Sequence, residues 1–150
     1  MRLVIQRVIE ASVNVDGVTV GAVEKGLMIL VGVAEGDSVE DAHWLAAKTL
    51  SMRIFNDANG IMNLSILDVG GDILAISQFT LNASTRKGNR PSYIKAARPE
   101  IAEPLYQQFC QLLSDGLGKE IQKGIFGAYM KVSLVNDGPV TIIIDSKLRE

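Results

Sequence analysis

The sequence predicts an α+β fold, a mostly antiparallel sheet curled towards a β-barrel-like core with two helices packed on it. Three observations lead there. Short apolar runs, several with period-two alternation, open and close the chain. Two stretches of helical periodicity fall between them. Tight-turn signals favour hairpins over crossovers, so neighbouring strands should run mostly antiparallel.

Ala11, Val13 and Val15 alternate with Ser12, Asn14 and Asp16. Asp16-Gly17 is a two-residue hairpin signal, and Val18 and Val20 continue the period beyond it. Residues 27–33 form a continuous apolar run, long enough for a strand buried on both faces. Ser38 with Asp41 three residues later reads as a capping box. Val39, Ala42, Leu45, Ala46, Thr49 and Leu50 then follow at helical spacing. The run 56–60 is a turn, and Gly70-Gly71-Asp72 is another that launches a strand over 73–79. Residues 81–98 have little periodicity and read as a long loop, and loops of that length are commonly functional. A second helix has Ala102, Leu105, Tyr106, Phe109, Leu112 and Leu113 on one face. Pro104 fits only its first turn, which puts the start near 101–103, and Gly116 and Gly118 end it. Two strands, about 130–135 and 140–144, close the chain, joined by Asn136-Asp137-Gly138-Pro139.

The length of 150 residues suits a single domain spanning 1–150. Such a chain buries roughly 70% of its unfolded surface and folds without disulfides. A single cysteine, Cys110, rules out an internal disulfide framework and fits a reducing compartment. The opening MRLVIQRVIEASV has neither the apolar core of a signal peptide nor the length of a membrane span. Ser146-Lys147-Leu148 is not terminal and is not read as a peroxisomal address. The expected place is the cytosol, with no membrane partner. The net charge of −2 means that any RNA contact comes from a local basic patch on an acidic body.

Several chemistries lack their residues. The one histidine, His43, stands beside Trp44 inside the first helix, where such a residue is usually a surface or partly buried group. No Cys/His cluster has metal-ligand spacing, and Gly32 and Gly36 do not complete a dinucleotide fingerprint. Cys110 lies on or beside an apolar helix face, in a structural role. Ser-His-Asp or Cys-His catalysis has little to work with. Neither a metal nor a cofactor is expected.

Two segments remain. Ser77-Gln78-Phe79-Thr80-Leu81 ends a very apolar strand and opens into the long loop. On spacing alone, Ser77 and Thr80 either satisfy strand-end backbone groups, with Phe79 in the core, or form a site. Asn136-Asp137-Gly138-Pro139-Val140-Thr141 is turn chemistry, read locally as a hairpin connection.

Taken in order along the chain, these segments carry more. SQFTL, then Gly124-Ile125-Phe126-Gly127-Ala128-Tyr129-Met130, then NDGPVT resemble the D-aminoacyl-tRNA deacylase family, also called D-tyrosyl-tRNA deacylase. Ile5-Gln6-Arg7-Val8, Ala11-Ser12-Val13, Arg53-Ile54-Phe55, Met62-Asn63-Leu64 and Arg90-Pro91-Ser92 extend the resemblance over nearly the whole chain. Tyr129 stands where the resemblance leads one to expect an acidic residue.

The resemblance implies hydrolysis of the ester between an amino acid and the terminal ribose of tRNA, within a homodimer. An unactivated Thr80 hydroxyl is a weak nucleophile, and no base is near it in sequence. The expectation is therefore that Ser77, Gln78, Phe79 and Thr80 form the pocket floor. Backbone N–H groups near Phe79 and Thr80, with the Gln78 amide, would orient the carbonyl and a water, and the ribose 2′-OH would assist. The resemblance also implies a cis Gly138-Pro139 peptide whose carbonyls enter the partner subunit's pocket. There they would accept from the ammonium of a D-residue and crowd the side chain of an L-residue. Glycine, with no side chain to reject, would be a second substrate. Phe126 and Met130 read as pocket walls or as plain core. Arg86 and Lys87, in the basic run 86–90, read as a solvated loop or as phosphate contacts at the tRNA acceptor end. Two other classes compete: a small-molecule esterase using Thr80, and a non-catalytic RNA-binding module.

Overall fold

A computed structural model describes residues 1–149. The first strand, β1 (Arg2–Val15), is the spine of the sheet. It pairs antiparallel with β2 (Val18–Val23) through the expected Asp16-Gly17 hairpin, and with β3 (Gly26–Gly32) along its first half. Helix α1 (Val39–Ser51) follows, with the Asp41 carboxylate accepting from the Ser38 backbone N–H at 2.8 Å. Two short strands, β4 (Phe55–Asn56) and β5 (Met62–Leu64), and a four-residue helix, α2 (Ile66–Val69), lead to β6 (Asp72–Ser77). A 3-10 turn (Phe79–Asn82), helix α3 (Pro99–Leu117), β7 (Gln122–Lys123) and β8 (Lys131–Asp145) complete the order.

Only β3–β6 and β6–β7 are parallel, so the sheet is mostly antiparallel, as expected. It nearly closes where β2 approaches β7 without pairing with it: a Cβ on Gly21 would lie 2.9 Å from the Lys123 carbonyl oxygen, so only glycine allows that approach. The α+β, barrel-like fold with two long packed helices holds. One apolar layer lies between the sheet and α1 and α3, with Leu3, Ile5, Ile29, Leu45, Tyr106 and Phe109 buried in it. A second fills the curl of the sheet, around Val8, Val13, Met28, Leu74 and Ile76. Each such side chain stabilises the fold by about 1.5–3 kcal/mol of transfer free energy.

Three expectations are corrected. The two closing strands are one, β8, and do not pair with each other as a hairpin. The strand β1 is 14 residues long and pairs with both halves of β8, from Arg2↔Asp145 to Asn14↔Lys131. Between Val8↔Asn136 and Gln6↔Thr141, β1 has only Arg7 while β8 has 137–140, so Asp137-Gly138-Pro139-Val140 is a bulge. The second helix starts at Pro99, before the expected 101–103, and carries Pro104 inside it. Proline suits the first helical position, and the Glu100 carbonyl that Pro104 leaves without a donor lies on the exposed side. The strand expected over 73–79 stops at Ser77, and the start of the expected long loop is the 3-10 turn.

Candidate active site

The pairing of β6 with β3 ends at Val31↔Ser77, and the Gln78 N–H reaches the Val31 carbonyl at 2.7 Å. The chain then tightens into the 3-10 turn, with Leu81 N–H donating to Gln78 O at 3.3 Å and Ala83 N–H to Thr80 O at 3.1 Å. Gly32, the last residue of β3, makes room for it. A Cβ there would lie 2.9 Å from Leu81 Cβ, 3.1 Å from Asn82 Nδ2 and 3.2 Å from Gln78 O. Buried Asn82 pins the far end, its amide donating to Val33 O at 3.0 Å. The opening N–H groups of such a turn have no acceptor inside it. Those of Phe79 and Thr80 also find none elsewhere among the described residues.

Beside the turn is a cavity of about 570 Å³. Ser77, Gln78 and Phe79 line it together with Phe126 and Met130, so five of the expected site residues converge. Its back wall is apolar: Val31, Val33, Ile76 and Ala97, with Tyr106 from α3. The Tyr106 hydroxyl donates to Ala75 O at 2.9 Å, and its ring lies 5.9 Å from that of Phe126. Gly127, at φ 76°, turns the chain so that Phe126 and Met130 both face the cavity. Phe126 also packs on the helix-side core and Met130 on the core inside the curl, so both readings of these residues apply.

Phe79 is not core. It is 57% exposed at the cavity mouth, edge-on to Tyr93 at 5.1 Å. Thr80 does not line the cavity, and its hydroxyl accepts from the Gln78 side-chain amide. His43 is exposed on α1 and does not line the cavity, so no imidazole stands ready to activate Thr80. Behind the wall, burial pushes the Cys110 thiol up to about 11 and also raises the Tyr106 phenol, so neither is an anionic nucleophile at neutral pH. Among the described residues no group of three His, Cys, Asp or Glu side chains could hold a metal ion. No described helix is long and apolar enough to cross a membrane.

Gly138 and Pro139 lie apart from this cavity in the same chain, exposed on the β8 bulge with the peptide between them cis. Arg7 holds the bulge. Its guanidinium donates to Ile54 O at 2.8 Å, to Asn56 Oδ1 at 3.2 Å and to Asp137 O at 3.2 Å. It also lies 3.2 Å from the Asp137 carboxylate. The Asn136 amide donates to Arg7 O at 2.9 Å and to Val140 O at 3.0 Å. The sequence reading gave Arg7 no role. The available signal was a charge between Ile5 and Val8, both fully buried, and Arg7 itself is only 6% exposed.

Arg86 and Lys87 are exposed at the tip of a loop pinched by reciprocal Ser84–Ser92 backbone hydrogen bonds of 2.8 and 2.9 Å. The tip leads straight to Tyr93 on the cavity wall. From 81 to 99 the chain carries Arg86, Lys87, Arg90, Lys95 and Arg98 and no acidic residue. None of the five is ion-paired among the described residues.

The family described as D-Tyr-tRNA(Tyr) deacylase matches residues 4–145. A protein of Bacteroides fragilis (strain YCH46) named D-aminoacyl-tRNA deacylase is 64% identical over 150 residues, covering all of both chains. One of the same name from Flavobacterium psychrophilum is 60% identical, again over the whole of both chains. Among solved structures, the c-Myc DNA Unwinding Element Binding Protein superposes with a TM-score of 0.92 at 38% identity, covering 97% of this chain and 98% of that one. A chain described as "a probable eukaryotic D-amino acid tRNA deacylase" superposes at 0.82 with 18% identity, covering 95% and 97%, which speaks to the fold alone. A family match over nearly the whole chain, joined to full-length relatives of this identity, establishes that the chain belongs to the D-Tyr-tRNA(Tyr) deacylase family.

Proposed function

We propose that this chain hydrolyses D-aminoacyl-tRNA to free D-amino acid and tRNA, in the cytosol and as a homodimer, and that it also clears mischarged glycyl-tRNA. A water oxygen adds to the ester carbonyl, the bond from that carbon to the ribose oxygen breaks, and the ribose oxygen leaves with a proton. The observation that carries the reading is the pair of free N–H groups at Phe79 and Thr80 beside a cavity whose lining offers no activated nucleophile. Fixed donors aimed at a developing oxyanion supply most of what such an acyl transfer needs. Ser77 and the Gln78 amide orient the carbonyl and the water, Phe126 and Met130 wall the pocket, and the substrate 2′-OH assists.

Handedness is read by the main chain. The Gly138-Pro139 turn of a second copy enters this cavity, its carbonyls accept from the substrate ammonium, and an L side chain collides with them. The position of the turn supports this: it is exposed, braced by Arg7, and lines no part of its own chain's cavity. Arg86 and Lys87 contact acceptor-end phosphates.

Incubation with matched D- and L-aminoacyl-tRNA tests the reading. Release of the D-amino acid alone is expected, with Thr80→Ala active and a 2′-deoxy terminal ribose inert. A dead, folded Thr80→Ala with a trapped acyl-enzyme would make Thr80 the nucleophile instead. Cleavage of simple esters without tRNA would point to a small-molecule esterase. Binding without release would favour a nucleic-acid-binding module, a class the name of the 38%-identical solved structure keeps in view.

A further inference from the structure

Eight aromatic residues occur in the chain, and among the described residues three have exposed rings: Phe79 at 57%, Tyr93 at 41% and Tyr129 at 85%. All three line the same cavity. Phe79 and Tyr93 meet edge to face at its mouth. Tyr129 stands on the turn between the two wall residues Phe126 and Met130, and most of its ring faces water. On a single chain these rings stand in water, and a Gly138-Pro139 bulge entering from a second copy brings no aromatic face to them; rings so placed are a poor use of apolar surface unless something flat covers them. The unpaired cations of 86–98 flank Tyr93 in sequence, with Arg90 and Lys95 on either side of it, although none of the five lines the cavity itself. One terminal nucleotide brings a single phosphodiester, too few for five cations. Several consecutive nucleotides bring one each.

Exposed rings beside a cationic track are how proteins hold single-stranded nucleic acid, bases on rings and phosphates on cations. From this juxtaposition we infer that the cavity mouth is a stacking platform for the unpaired nucleobases preceding the ester-bearing nucleotide, with Tyr129 as its outermost plate. The inference rests on the acyl-tRNA reading of the cavity and assigns the mouth a separate duty. The cavity takes the reacting end, and Phe79, Tyr93 and Tyr129 take the strand that leads to it. Tyr129 touches no reacting atom. Its contribution is to affinity and to the choice of strand.

Two measurements decide it. In the first, wild type and Tyr129→Ala are compared on D-aminoacyl-tRNA and on D-aminoacyl-adenosine, which has no upstream base. The loss in KM with tRNA should exceed the loss with aminoacyl-adenosine by about ten-fold, within the roughly 5- to 160-fold that one base–ring stack is worth. The kcat on tRNA should hold, and Tyr129→Phe should restore the KM. Equal losses on both substrates, or a loss in kcat alone, would overturn the inference. In the second, fluorescence anisotropy follows an unacylated single-stranded trinucleotide and its analogue abasic at the penultimate position. Wild type should prefer the intact strand by about ten-fold, and Tyr129→Ala should erase the preference. Equal affinity of wild type for both strands would sink the platform. The second measurement needs no hydrolysis, so it decides the platform even if no D-amino acid is released and the deacylase reading fails.

Discussion

Replacing Gly32 with alanine should damage catalysis far more than stability. The added Cβ would stand 2.9 Å from Leu81 Cβ and 3.2 Å from Gln78 O. Carbon atoms rest at about 3.5–4.0 Å, so the 3-10 turn must retreat from β3 by somewhat under about 1 Å. Those two partners are a Cβ and a backbone atom, which no rotamer change can move aside, and the third, Asn82 Nδ2 at 3.1 Å, is held by its hydrogen bond to Val33 O. Overpacking of this kind costs about 1–3 kcal/mol. The same retreat carries the Phe79 and Thr80 N–H groups with it, and a misplacement of about 1 Å at a reacting centre costs on the order of 10²-fold in rate. Single-turnover deacylation of D-aminoacyl-tRNA should therefore fall by about 10²-fold, while unfolding in urea shows a loss of only about 1–3 kcal/mol. Ile66→Val is the control: Ile66 is fully buried in α2 and lines no part of the cavity. It should lose about 0.5–1.5 kcal/mol and keep its rate. If Gly32→Ala turned over within about three-fold of wild type while paying the stability cost, the turn's N–H groups would not be the rate-determining donors.

Arg7→Ala leaves the Ile54 and Asp137 carbonyls without their guanidinium, and about 2–4 kcal/mol of stability should go with it. Asp137 is half exposed, so the ion pair itself adds little. With the bulge loosened, the ratio of D- to L-aminoacyl-tRNA cleavage should fall, and a variant with wild-type stability and selectivity would refute the bracing role. At Asp41, burial works to raise the carboxyl, but hydrogen bonds from Lys147, Ser146 and the Ser38 backbone outweigh it and hold it below the usual carboxylate range. Its stabilisation is therefore full above the unfolded value near about 4 and drains away as pH falls through the lower folded value. Melting temperature should drop below about pH 4 more steeply in wild type than in Asp41→Asn, and identical slopes would remove Asp41 from the account. Cys110, with its thiol pushed up to about 11 by burial, should resist alkylation at pH 8 until the protein unfolds, and fast labelling of the native state would contradict that environment.

What the sequence made legible was local. The capping box at Ser38 and the spacing through Leu50 specify α1 within one stretch of chain, and the structure has it there. The apolar run from 27 became β3 because few residues in it tolerate water. Long-range facts were hidden. Asn-Asp-Gly-Pro is turn chemistry wherever it stands, and only the length of β1 decides that its two flanks pair with one neighbour rather than with each other. The apolar run launched by the Gly70-Gly71-Asp72 turn carries the expected strand through Phe79, but Gly32 ends β3 there and the turn settles on it, leaving Phe79 in water. The meeting of Ser77 and Gln78 with Phe126 and Met130 depends on the two-residue pairing of β6 with β7, too short to leave a pattern. Those residues were found through an ordered set of motifs, not through periodicity.

If the site is built from backbone donors, as proposed, the uninformative look of the composition follows as well. A hydrolase that activates a serine or cysteine must carry a base beside it, and that pair marks the sequence. Here the Thr80 hydroxyl is engaged by the Gln78 amide, and Cys110 is sealed behind the wall. If the donors are N–H groups, any residue can supply them, and selection falls on what fixes their direction. Gln78 N–H on Val31, the Asn82 amide on Val33 and the bare Cα of Gly32 tie the turn to β3, which is almost fully buried. Rigid placement relative to a strand that cannot shift is what lets a dipole act on a transition state without first reorganising. The demanding positions should then be small or buried residues on β3 and the turn, not polar groups in the cavity.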